Sequence, residues 1–589
     1  MLFPMYTMPC ELVLEMTVIE PHEVHKAKGE VVIFEDSMGK AVFVSHQWAS
    51  QQHPDPGCKQ LTVLQGALRR LLHDVGIVPL DWVTEVYVPT ARHLPVQVFR
   101  SQPLFIWYDY VSCPQLEPRE GFIGGSSVGD DGSDLAQAIR SIPAYIGKCS
   151  FFFALCPVLT SQDGTGLLTQ ASWGRRGWCR MERVIRELSW DDTWVKIKSA
   201  RSLEVVGSVL AFVNGSVGEG EFSKEEDRRK LAPILRQAVV RKLMFCLSSK
   251  DFAAYRRHLN LQSSYFRGLN MEPISDMIPD IECNKGSTDV VAKFLYQNGF
   301  AAVRDIDRAG WSPLHYAALN GDANIIDGLL QQGANPNKRT AREQPKLGCP
   351  PWTSPLDLAL LFQHNDAARC LIAARANFQG GFTTPLNMAS VSDNAEGIRL
   401  LCAAGIDPLM EDVLEASALR GVATYGSLEA LAELSLHTSQ EPLVVSRALF
   451  FAMVGGGGSA EMVERLVELR ADVNHQYTVS SICSAFGLVV AAKTLQYRLG
   501  RRTILSSLCY HISGMTPLMA ALMTAQHEGA AALIAAGARL DLRNYRNWST
   551  RDFARGQALP DFLLKGLEGD PVECQTVASL ALSEGYVEI

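Results

Sequence analysis

GWSPLHYAALNGDANIIDGLLQQGANPN, running from Gly310 to Asn337, decides the architecture of the C-terminal half of this chain. Ser312 can cap a helix whose first position is Pro313, where a proline loses only a donor that has no intrahelical partner. Leu314, Ala317 and Ala318 supply a small inner face, and a second helix follows through Ile325, Ile326, Leu329 and Leu330, stopped by Gly333. The stretch predicts two short helices folded back on each other. Such a pair cannot bury its apolar face alone, so further copies are expected.

The pattern returns as TSPLDLALLFQHNDAARCLIAARANF from Thr353, TTPLNMASVSDNAEGIRLLCAAGIDPL from Thr383, and GMTPLMAALMTAQHEGAAALIAAGARLDL from Gly514. Pro355 and Pro385 are 30 residues apart, whereas Pro313 to Pro355 is 42, which predicts an inserted loop from Lys338 to Trp352. Two weaker copies between Ala416 and Asn474 keep the hydrophobic pattern without the Thr-Pro-Leu cap. These residues resemble the ankyrin family from about Phe300 to Leu559, and the S-P-L-H-Y-A-A string is the specific signal. The resemblance implies an all-α ankyrin-repeat solenoid over 296–560, with about six repeats and insertions near 338–352 and 475–513, that binds a protein partner with loop tips and concave helices. It also implies a structural role for His315, bonding the turn. The run Gly455 to Gly458 reads as a flexible turn, since no G-K-[ST] follows to make a phosphate cradle. Lys493, Arg498, Arg501 and Arg502, in the second insertion, read as a solvated helix face.

The N-terminal half has another rhythm. AVFV from Ala41, LFIWYDY from Leu104, SFFFALC from Ser150 and WVKIK from Trp194 read as strands. Between them lie helical stripes: Leu61, Leu64, Leu68, Leu71 and Leu72, then Leu135, Ile139, Ile142 and Ile146, then Trp178, Met181, Ile185 and Leu188. This alternation predicts an α/β domain with a parallel sheet. VVIF from Val31 is expected to pad that sheet. Ligands of open α/β sheets bind beyond the carboxyl ends of the strands, which draws attention to Ser45, His46 and Trp48, to Asp109 and Tyr110, and to Pro157. Glu182, about 40° from Trp178 on the helical wheel, stands at the margin of a buried stripe, a place suited to an acid/base or ribose-binding group. The competing expectation is a surface ion pair with Arg186, worth about 0.3–0.5 kcal/mol.

F-V-S-H, the helix after it, the Asp-bearing strand, A-I-x-S before a strand, and S-W-G-R-R-G-W-C-R-M-E together resemble a Toll/interleukin receptor (TIR) domain from about Lys40 to Trp190. In enzymatic members of that family the glutamate of W-C-x-x-E is essential for cleaving the nicotinamide–ribose bond of NAD. The resemblance places Glu182 in that role, steadying an oxocarbenium-like transition state as an anion, with Ser45, His46, Trp48, Asp109 and Trp178 as candidate nucleotide-binding residues. Two features depart from the family: a long loop with PQLEP and GGSSVGDDGS, and a helical excursion within VPLDWVTEVYVPTARHLP. As a block, the chain resembles the ankyrin-repeat proteins with an N-terminal TIR-like module found in dinoflagellates and other algae.

Composition sets the outer bounds. With 589 residues, 47% hydrophobic and 20% charged, the chain is a multidomain globular protein. The expected divisions are an extension over 1–39, the TIR-like (flavodoxin-like) α/β domain over 40–222, a helical linker over 223–295, the repeats, and a tail over 561–589. A net charge of −8 argues against nucleic acid as a partner. The N-terminus has no basic n-region, no run approaches about 18 apolar residues, and 14 scattered cysteines suit reduced thiols, so a cytoplasmic protein without membrane contact is expected. No resident cofactor or metal is expected; His46, His53 and Cys58 lack a fourth ligand at zinc-like spacing. Two functions compete: a protein-binding scaffold or adaptor whose α/β module signals or self-associates, and an NAD-cleaving hydrolase using Glu182 and governed by the repeats.

Overall fold

The computed structural model describes residues 1–50, 52–88, 90–115, 133–161, 164, 166–191, 194–207, 215–279, 289–342 and 347–583. The PQLEP and glycine-rich loop falls almost wholly outside these residues, as do the middle of the 338–352 insertion and the last residues of the tail.

Seven strands form the N-terminal sheet: β1 (Tyr6–Pro9), β2 (Val32–Ile33), β3 (Lys40–Ser45), β4 (Leu104–Tyr108), β5 (Phe151–Leu155), β6 (Trp194–Ser199) and β7 (Ser202–Val206), in the spatial order β7-β6-β5-β3-β4-β1-β2. The four strands expected from the sequence, β3 to β6, are mutually parallel, but the sheet as a whole is mixed, which corrects the expectation of a parallel sheet. β7 returns directly from β6 across a turn too short for a crossover, so it pairs antiparallel. At the other edge β1 pairs antiparallel with β4, and the Val31 segment pads it as β2.

Alternate residues of the central strands face opposite sides, and both sides are covered. Val42, Val44, Ile106, Phe151 and Phe153 pack beneath α1 (Lys59–His73), which brings Leu61, Leu64, Leu68 and Leu71 to them. Phe43, Trp107 and Phe152 face the other way, with Phe43 stacked 4.3 Å from Trp107 and 5.4 Å from Phe152. Over them lie α3 (Asp134–Lys148) and α4 (Gly177–Leu188), contributing Ile142, Tyr145, Met181 and Ile185. The helical excursion between α1 and β4 contains α2 (Trp82–Tyr87), capped by Asp81 through the amides of Val83 and Thr84.

α5 (Glu225–Ser248) packs along α3 and α4 with Leu231, Leu235, Val239 and Leu243 and joins the α/β layer to the repeats. The repeats stack in two rows. Helices Phe252–Asn260, Pro313–Asn320, Pro355–Leu361, Pro385–Val391, Ala418–Tyr425, Pro442–Val454, Pro517–Met523 and Thr550–Ala554 follow one another along the inner row. The rows thus extend beyond the Thr-Pro-Leu signature at both ends. Cap chemistry explains the inner starts: Ser354, Thr384, Ser417 and Thr516 each accept a bond from the amide three residues on. His315 sits fully buried, bonded to Ser312 Oγ at 2.8 Å and to the Thr353 carbonyl at 3.3 Å, so it ties one repeat to the next.

The glycine run is not a flexible turn. A Cβ on Gly455 would lie 2.1 Å from the Thr424 carbonyl oxygen and one on Gly457 2.1 Å from that of Ala423, while Gly456 N–H and Gly457 N–H donate to Thr424 O. Glycine is required there by close backbone approach.

Candidate functional site

β3 lies between β4 and β5 in the middle of the sheet, and chain order reverses at β3, so its carboxyl end stands at the switch point where open α/β sheets bind ligands. Ser45 ends β3, His46 and Trp48 follow it, and Asp109 follows β4. Asp109 is the hub. Its Oδ1 lies 2.9 Å from His46 Nε2, and its Oδ2 accepts from Trp48 Nε1 at 2.8 Å. The His46 ring stacks on Tyr108 at 4.1 Å, and its Nδ1 lies 3.3 Å from the Tyr108 hydroxyl and 3.2 Å from Gln47 O.

Glu182 reaches this group from α4. Its carboxyl lies close enough to feel the Ser45 hydroxyl and the charges of Asp109 and His46, and Ser45 Oγ accepts from Trp173 Nε1 at 3.1 Å. Arg186, the alternative ion-pair partner, is itself buried and donates to Cys149 O at 2.9 Å and Ser150 O at 3.2 Å, beside Asp191. The structure therefore gathers Ser45, His46, Trp48, Asp109 and Glu182. Trp178 lies apart, its indole N–H donating to Asp227 of α5 at 3.1 Å.

The electrostatics divide the charged groups. Burial works against both the imidazolium of His46 and the carboxylate of Asp109, yet each one's field and hydrogen bond outweigh it, raising His46 and lowering Asp109. Burial, with the Asp109 charge adding to it, pushes the Glu182 carboxyl up to about 8. The site thus sets a histidine and an aspartate that favour each other's charged forms beside a carboxyl that burial holds toward its neutral, donor form, not the anion expected at Glu182. Tyr108 and Trp173 were not singled out by sequence; Tyr108 adjoins the strand-end aspartate, which is the signal that could have found it.

His46, His53 and Cys58 serve separate ends: His53 Nε2 lies 2.9 Å from Ile19 O, and Cys58 Sγ donates to Thr17 O. Among the described residues no group of His, Cys, Asp and Glu converges to hold a metal ion, and no helix is long and apolar enough to cross a membrane.

A second assembly lies between the halves. α2 faces the second insertion as well as the inner row, and Glu85 Oε1 pairs with Lys493 Nζ of that insertion at 2.6 Å and accepts from its Thr503 Oγ1 at 3.2 Å. Lys493 is therefore not on a solvated face. Lys198 donates to Thr524 O at 2.7 Å and Arg201 to Gly556 O at 3.0 Å, so the α/β layer sits on the solenoid at several points.

Comparison with known proteins agrees with the helix-pair geometry. A family model for ankyrin repeats (3 copies) matches residues 281–340. Human Rabankyrin-5 is 35% identical over 99 residues, covering 15% of this chain and 8% of its own length. The human transient receptor potential cation channel subfamily A member 1 is 24% identical over 161 residues, covering 27% and 14%, and the palmitoyltransferase AKR1 of Candida glabrata is 36% identical over 53 residues, covering 9% and 7%. The chain thus spans no more than 14% of the length of any of these relatives. The human ASB11 ankyrin repeat domain aligns with 44% of this chain and 98% of its own, at 24% identity and a TM-score of 0.32. The C-terminal helix pairs of this chain are ankyrin repeats.

Proposed function

We propose that this chain is a protein-binding scaffold in which the ankyrin repeats hold the α/β module on their inner row and take a protein partner on their finger tips. One observation carries the reading. Ile306, Trp352, Leu409 and Tyr545, all in the turns that join successive pairs, are 57%, 51%, 52% and 68% exposed. Large apolar side chains left exposed in four of these turns offer a partner contact area, because each contributes burial only when a partner covers it. The α/β module, whose motifs from F-V-S-H to W-C-R-M-E resemble a TIR domain, supplies recruitment or self-association. A photo-crosslinking amino acid at Trp352, against one at Leu436 on an outer helix, tests this in cells of origin. A discrete crosslinked partner from Trp352 alone supports it, and equal labelling from both positions sinks it.

The second reading, an NAD-cleaving hydrolase, is favoured by the convergence of Ser45, His46, Asp109 and Glu182. A cationic nicotinamide ring against Glu182 would lower its pKa and convert the neutral carboxyl to the stabilising anion only when substrate is bound. Nicotinamide release by the full chain, lost in Glu182→Ala, is the expected result. No release at high protein concentration with NAD in excess removes this reading.

A further inference from the structure

A cavity of about 370 Å³ lies where α2 meets the inner row of repeats. That volume falls within the roughly 300–1,000 Å³ of sites that hold small organic ligands. Its walls come from both halves of the chain: Trp82 and Tyr87 on α2, Met388, Tyr425 and Phe451 on the repeats, and Leu505 from the second insertion. They are predominantly apolar.

The polar atoms of the lining residues are engaged or closed off. Glu85, whose side chain is 7% exposed, gives one oxygen to Lys493 and Thr503, but its Oε2 has no donor among the described residues. Asn387, 5% exposed, donates through Nδ2 to Asp412 and to Ala416 O, while its Oδ1 likewise has no donor. Both oxygens are closed to a water-sized group, so the open wall offers an occupant apolar contact and not these acceptors. The charged residues lining the cavity, Glu85, Asp412, Arg420 and Lys493, sum to zero among the described residues. Arg420 is already engaged, with Phe451 at 3.7 Å below its guanidinium and Leu414 O at 3.2 Å. An ionic occupant would have no counter-charge left to it.

We infer that this interdomain cavity is a binding site for a small, neutral, largely apolar molecule. Because such a molecule touches α2 and the repeats together, its binding ties the α/β module to the solenoid by mass action.

The full chain is titrated with N-phenyl-1-naphthylamine, a neutral apolar fluorophore, and bound probe is then displaced with 1-decanol or decanoate. One saturable site is expected, displaced by the alcohol at least about tenfold more effectively than by the carboxylate, a ratio worth about 1.4 kcal/mol. Gly421→Leu is the filling variant. Gly421 lines the cavity within a helix, and a Cβ there meets nothing closer than 3.4 Å, so leucine enters without backbone strain and should weaken the probe by a similar factor. Absence of saturable binding, decanoate displacing as well as decanol, or undiminished binding by a folded Gly421→Leu chain would each overturn the assignment. The alcohol–acid comparison uses the unsubstituted chain and decides the matter even where the variant does not fold.

Discussion

Replacing Glu182 by glutamine should make the α/β module more stable, and the gain should grow with pH. A carboxyl whose folded-state pKa lies above its unfolded value binds its proton more tightly in the native state. Its contribution is complete below the unfolded value, near 4.5, and is lost as pH rises through the folded value, about 8. At about 1.4 kcal/mol for each tenfold change in proton affinity, that displacement corresponds to about 5 kcal/mol, most of it lost by pH 8. Glutamine keeps the shape and has no proton to lose. The two proteins should therefore melt together at pH 5, and the variant should melt roughly 10 °C higher at pH 9, taking about 2–4 °C per kcal/mol for a module of this size. Differential scanning fluorimetry of both chains across pH 5 to 9 measures this. Other titrating groups cancel in the difference. A melting difference that stays constant over that range would refute the claim that burial keeps this carboxyl protonated.

Two further outcomes follow from named contacts. Glu204 lies 2.6 Å from Lys198 and 3.4 Å from Lys196, with all three side chains largely buried, so Glu204→Gln leaves two buried ammonium groups uncompensated and should cost about 3–5 kcal/mol in urea unfolding; a loss below about 1 kcal/mol would mean that water reaches them. Asp109→Asn removes the charge and hydrogen bond that hold His46 up against its burial, so the His46 ring should titrate at lower pH by NMR, and an unchanged midpoint would show that Asp109 is not its partner.

The repeats were legible because each carries its own local code. A capping hydroxyl, a proline at the first helical position and two apolar stripes are all set within about 33 residues, so Gly310 to Asn337 announces its helix pair without help from the rest of the chain. The same locality explains what was missed. The flanking helix Phe252–Asn260, outside the 296–560 span read from the sequence, lacks the proline signature and joins the inner row by packing on Pro313–Asn320. In the α/β layer the four central strands were visible as apolar runs, whereas β1 and β7 flank them, and their direction is decided by what they pair with.

At the candidate site, the sequence by itself placed Ser45, His46, Trp48 and Asp109 at strand ends and Glu182 on a helix margin, because side-chain direction follows from the period of each element. Whether these residues met was beyond it. Tertiary structure brought Glu182 to Ser45, sent Arg186 to the Cys149 and Ser150 carbonyls, and turned Trp178 toward Asp227. It alone also joined Glu85 to Lys493 across more than 400 residues of chain. The physical reason is the range of the information. Caps, periodicity and turns act over a few residues, while burial, the pKa of a carboxyl and the pairing of distant charges depend on which surfaces close on each other.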